Sequence, residues 1–181
     1  MSYGGDDGNR GYGDQQFRGN YGASAPDFSD LASHAQNHGG SNSSYFNQAA
    51  NFLQQNHGNI ANQEVDQDHA VNAHKKLYGG EGGGPTDSNE LGAGAALQAL
   101  KKFSGGAGGG GQNQLIGLAM AEAEKLFDQH SANGNATGDK QSAINSAAEM
   151  AFKLYSKGQG SGLGGTGGPA GLMGLASKFL S

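Results

Sequence analysis

A worn internal duplication constrains this chain more than any single motif in it. Ala70, Val71, His74, Leu77 and Tyr78 stand at i, i+1, i+4, i+7 and i+8, and Ala147, Ala148, Ala151, Leu154 and Tyr155 repeat that spacing 77 residues later. After each block comes a glycine-rich stretch and then a short apolar segment closing on Lys-Phe, at 96–103 and at 172–179. Such spacing marks one face of a helix. Units this small cannot bury their apolar faces alone and must pack on a neighbour. The pattern predicts an architecture, two pseudo-repeat units at about 44–104 and 113–181, rather than a chemistry.

Composition narrows what such units can build. Glycine supplies 35 of 181 residues, and Trp and Cys are absent. The core must therefore come from Ala, Leu and a few Phe and Tyr, and glycine runs are the most expensive residues to order. This predicts a thin core in a marginally stable monomer, or one completed by self-association. Without cysteine there are no disulfides, thiolate metal sites or cysteine nucleophiles. A formal charge of −5 argues against nucleic acid as a whole-surface partner and against adsorption to anionic membrane. No apolar stretch approaches the ~20 residues of a membrane span. Met1 to Asp6 shows neither the basic nor the apolar region of a signal peptide. A cytoplasmic protein is expected.

Along the chain, residues 1–26 are low in complexity, with repeated Tyr-Gly and only Arg10 and Arg18 as cations, and read as a disordered tail. Residues 27–181 read as one helical domain. A first helix with Asp27 as N-cap carries Phe28, Leu31, Ala32 and Ala35 on one stripe and ends at Gly39-Gly40. A second, capped by Ser43 or Ser44, carries Phe46, Ala49, Ala50 and Leu53 and stops at Gly58. The third runs from about Asn62 to Tyr78, its acids early and Lys75 and Lys76 late, which suits the helix dipole. Asp87 or Ser88, with Glu90, opens a fourth that ends at Phe103. A fifth centres on Leu115 to His130, a sixth follows Thr137 or Asp139 to Lys157, and Pro169 introduces a last one at 170–180. No alternating run supports a strand. The fold class is all-α, a bundle of five to seven helices.

Several stretches together resemble the fungal beta-flanking proteins, a family carrying a domain of unknown function. They are the Tyr/Gly-rich start; Ala32-Ser33-His34-Ala35 with His38-Gly39; Asn62 to Tyr78 with Asp66, Asp68-His69-Ala70-Val71 and His74; Leu115 to Gln129; and Gly171 to Leu180. The resemblance covers essentially the whole chain and implies an intracellular, all-helical fungal protein. It brings no activity and no catalytic residues.

Site motifs are sparse. His34 and His38 are four apart and would share a helix face, and His74 adds a third imidazole, but no third ligand stands at a recognisable spacing. No metal or cofactor is assigned, and these three remain the candidates should a metal bind. His74 matches Ala151 in the repeat, so it reads as a packing position. Gly160 to Gly165 spells G-x-G-x-x-G but lacks the preceding strand of a dinucleotide site and reads as linker. Asp66, Asp68, Glu122, Glu124 and Asp128 read as capping or solvent-facing acids. The expected function is non-enzymatic, a structural protein that self-assembles into a homo-oligomer or filament through apolar helix faces. Leu97, Leu100, Phe103, Leu172, Met173, Leu175 and Phe179 are the packing or self-association residues. The alternatives are a hydrophilin-like stress protectant and a metal- or small-ligand-binding module using the histidines.

Overall fold

The computed structural model describes residues 25–80, 84–107, 110–160 and Ser177. Residues 1–24 of the expected tail (1–26), 161–168 of the expected linker (158–168) and nearly all of the expected helix at 170–180, with Leu172, Met173, Leu175 and Phe179, lie outside the described residues, while 158–160 continue the sixth helix instead of starting the linker. Among the described residues are six helices: α1 (Leu31–Asn37), α2 (Ser43–Ala61), α3 (Gln67–Tyr78), α4 (Ser88–Lys102), α5 (Gln112–Ala132) and α6 (Lys140–Gly160). The fold is all-α. Helices α4, α5 and α6 pack on one another as a central triangle, and each carries one outer helix: α3 on α4, α1 on α5, α2 on α6.

Short polar side chains start three of these helices. Asp66 accepts from the His69 amide at 3.0 Å to open α3. Asp87 accepts from the Glu90 amide at 2.8 Å while the Glu90 carboxylate accepts from the Asp87 amide, a reciprocal capping box that opens α4. Asp139 accepts from the amide and hydroxyl of Ser142 at 2.8 and 2.7 Å, opening α6. Each such cap is worth about 1 kcal/mol. Asp27 instead caps a tight turn through the Ser29 amide at 2.9 Å, and α1 begins only at Leu31.

Three details depart from the expected helices. The third helix does not start near Asn62: α3 begins at Gln67, where Asp66 supplies the acceptor that the first-turn amides need. Gly58 does not stop α2, which runs on to Ala61. A mid-helix glycine costs about 1 kcal/mol relative to alanine, and Ile60, 2% exposed, lies just beyond it in the sequence. Burying a side chain of that size contributes about 1.5–3 kcal/mol, enough to carry the helix through. Two short strands also form where none was expected, β1 (Thr86–Asp87) and β2 (Ala136–Thr137), paired in parallel with Thr86 opposite Ala136. The Thr86 amide donates to the Asn135 carbonyl at 2.8 Å, and the Ser88 hydroxyl donates to the Asp139 carbonyl at 3.0 Å. The pairing sets the N-termini of α4 and α6 side by side.

From those adjacent starts α4 and α6 stay in close contact, and side-chain size decides how close. Residues 91–97, Leu-Gly-Ala-Gly-Ala-Ala-Leu, are buried without interruption, so α4 has no solvent face over two turns. A helix apolar all round belongs in a core. A methyl group placed on Gly92 would stand 2.5 Å from the Ser146 Cβ and 2.7 Å from the Ala147 backbone nitrogen on α6. One on Gly94 would stand 2.4 Å from the Leu77 Cδ1 of α3. In the same way, Gly117 lets α5 approach α1 to within 2.9 Å of where a Cβ would meet the Ala35 nitrogen.

The two matched repeat blocks occupy different environments. Ala147, Ala148, Ala151 and Leu154 are all buried in the central helix α6, whereas on the outer helix α3 Ala70 is buried and Val71, His74, Leu77 and Tyr78 are half-buried. The segment 96–103 is the end of the expected fourth helix: α4 closes at Lys102 with Lys101 and Lys102 exposed, and a π-turn follows at Phe103–Ala107. Leu97, Leu100 and Phe103 are 1%, 0% and 4% exposed, so all three are packed inside one molecule rather than offered to another copy.

Close approach makes a signed prediction. Gly92→Ala lowers unfolding free energy by about 1–3 kcal/mol through overpacking against α6, despite alanine's better helix propensity. Gly58→Ala, which meets nothing within 4 Å, raises it by about 0.4–1 kcal/mol. Urea denaturation of the two variants checks both signs.

Candidate functional site

The helix α5 carries two carboxylates into the interior. Its residues 115–121, Leu-Ile-Gly-Leu-Ala-Met-Ala, are continuously buried, and the enclosure continues through Glu122 and Glu124, which are 6% and 3% exposed. This corrects the solvent-facing role expected of them. The physical reason is that α5 is flanked by α4 and α6 on one side and α1 on the other, so its covered stripe is wider than an amphipathic pattern allows. The seven apolar residues before Glu122 were the available signal.

A buried carboxylate must be paired or hydrogen-bonded, and the two are satisfied differently. Glu124 accepts from the amide and the hydroxyl of Ser41, both at 2.9 Å, which ties the α1–α2 connection to α5. Its role is structural. Glu122 pairs with the ammonium of Lys102 at the end of α4 and lies 3.8 Å from that of Lys125 one turn along α5. The Glu122 side chain is 8% exposed while Lys102 and Lys125 are 42% and 47% exposed, so the anion sits at the base and the cations reach toward water. Lys125 also donates to the His38 carbonyl at 3.3 Å.

The Tyr78 hydroxyl reaches the other side of Glu122 at 3.5 Å, a long contact. Burial, reinforced by the Glu122 charge and by that contact, pushes the Tyr78 phenol far above its ordinary range. The His74 ring stacks on Tyr78 with centroids 4.9 Å apart, and its Nε2 lies 2.9 Å from the Gln98 side-chain oxygen. The result is a continuous polar seam from α3 through α4 to α5.

The candidate histidines fall on both ends of this seam and do not converge. His34 pairs with Asp30, the residue just before α1, at 3.3 Å. His38 follows the end of α1, where partial burial, with the charges of His34 and Lys125 adding to it, holds its pKa below the ordinary value. His74 lies behind Tyr78. Among the described residues no group of three or more His, Asp or Glu side chains is arranged to hold a metal ion. No described helix is long and apolar enough to cross a membrane.

Chemically, this arrangement pairs charges and holds cations in place. Around Glu122, Lys101, Lys102 and Lys125 line a cleft of about 550 Å³ with His38, Gln98, Gly105 and Leu118. Sequence reasoning did not single out these lysines, because their convergence depends on how α4 and α5 pack.

Residues 27–108 match a family model described as a domain of unknown function, DUF7721. The match runs from the turn before α1 through α4 and ends before α5 and α6. No curated protein and no solved structure matches the chain.

The raised Tyr78 pKa gives a pH dependence with a definite sign. In the unfolded chain the phenol ionises near ~10, while the fold keeps it protonated. Its contribution is therefore complete below about pH 10 and is lost as the pH rises above that value. The wild type loses more stability between pH 9 and 11 than Tyr78→Phe does, as read from urea midpoints. Equal alkaline losses contradict this.

Proposed function

We propose that the chain is a non-enzymatic structural protein that associates with further copies of itself. The observation that supports this reading is the placement of its aromatic rings. Phe28, Phe46, Phe103 and Phe152 fill the core, whereas Tyr45 and Phe52, like Tyr78, Phe127 and Tyr155, pack against it only half-buried. Tyr45 and Phe52 stand seven residues apart on α2 and so share one face. Half-covered aromatics grouped this way are the side chains that anchor protein interfaces. The apolar residues Leu172, Met173, Leu175 and Phe179 supply a second set of contacts in this proposal.

A continuous core running through all six helices favours a folded scaffold over a hydrophilin-like protectant. The histidine-based ligand module has less support, because His34, His38 and His74 each serve a different neighbourhood. The likeness to fungal beta-flanking proteins and a cytoplasmic location belong to the same proposal.

Light scattering coupled to size-exclusion chromatography at tens of micromolar tests it. The expected result is a mass that is a multiple of 18.3 kDa, reduced by the pair Tyr45→Ser and Phe52→Ser. A strict monomer contradicts the reading.

A further inference from the structure

Most described lysines that make ion pairs are matched one to one. Lys76 pairs with Glu90, Lys140 with Asp128, and Lys153 with Glu149. The cleft between α4 and α5 is different. Lys101, Lys102 and Lys125 line it against the single carboxylate of Glu122, so three positive charges less one negative leave +2 there. The whole chain carries −5. Lys101 is exposed and makes no ion pair among the described residues.

We propose that this cleft binds a compact multivalent oxyanion, a phosphate group above all, held by the ammonium groups of Lys101, Lys102 and Lys125 above the buried carboxylate of Glu122. Three features support the assignment independently of self-association. The first is placement: an open, shallow cleft of about 550 Å³ brings lysines of α4 and α5 to one ligand-sized space, where their fields add. The second is preorganisation. Glu122 draws in Lys102 and Lys125, and the His38 carbonyl accepts a hydrogen bond from Lys125, so two of the three cations are already placed before a ligand arrives. The third is the excess charge, which one carboxylate leaves uncompensated and which an anion of charge −2 balances. Gln98, at the cleft edge, offers an amide that can donate to a ligand oxygen.

Titration of the full-length, ¹⁵N-labelled chain with inorganic phosphate, followed by NMR at constant ionic strength, tests the proposal. The amides of His38, Gln98, Lys101 and Gly105 are expected to shift saturably in the millimolar range or below, and matched chloride is expected not to reproduce the shifts. Lys101→Glu is expected to weaken phosphate binding about tenfold or more through like-charge repulsion. Lys75→Glu, an equal charge change on an exposed lysine that does not line the cleft, is expected to leave it unchanged. The milder Lys101→Gln serves if the reversal perturbs folding. Shifts that never saturate, shifts that chloride reproduces, or equal weakening by Lys75→Glu overturn the proposal.

Discussion

The structure depends on how closely α4 can be approached. Backbone on α6, a leucine on α3 and the apolar face of α5 all meet a helix whose central turns are Gly and Ala. Small side chains bring helix axes together, and tight packing replaces the volume that large side chains supply in an ordinary core. The glycine content that makes unfolded regions of such a chain costly to order is, at Gly92, Gly94 and Gly117, the condition for the packed state. One residue type acts against stability in the loops and for it at the crossings.

Enclosure of α4 and α5 accounts for the polar features as well. Because α5 is covered on both flanks, Glu122 and Glu124 cannot reach bulk water and must find partners nearby. Glu124 finds the Ser41 loop, and Glu122 finds Lys102 and Lys125. Breaking such a buried pair leaves an uncompensated charge, a larger penalty than the pair itself contributes. The lysine-lined cleft thus follows from the same packing that builds the core, and the cations it gathers come from two helices about twenty residues apart in sequence.

Local signals were legible in the sequence wherever local chemistry decides the outcome. The caps at Asp87 and Asp139 and the capping-box partner Glu90 mark helix starts correctly, because an orphan amide needs an acceptor within three residues, whereas the start expected near Asn62 falls instead at Gln67, on the Asp66 cap. The stripe of Phe46, Ala49 and Leu53 reads as buried and is buried. Features set by tertiary contact were not legible. Gly58 looks like a stop until Ile60 is seen in the core. The β1–β2 pairing joins residues fifty apart through two loops that carry no alternating pattern. The repeat spacing of α3 and α6 is the same, yet one helix lies outside and the other at the centre, since spacing reports which residues share a face and not how many neighbours cover it. The Glu122 site was hidden for the same reason: an acid near apolar residues reads as a solvent-facing break until the neighbours on every side are known.

Native-state hydrogen exchange measures the central claim most directly. If α4 is the element on which the others close, its amides at residues 91–100 exchange only through global unfolding, with protection equal to the unfolding free energy from denaturation, while those of α1 and α2 open at lower free energy. Amides of α4 that exchange as readily as those of α2 would contradict the account.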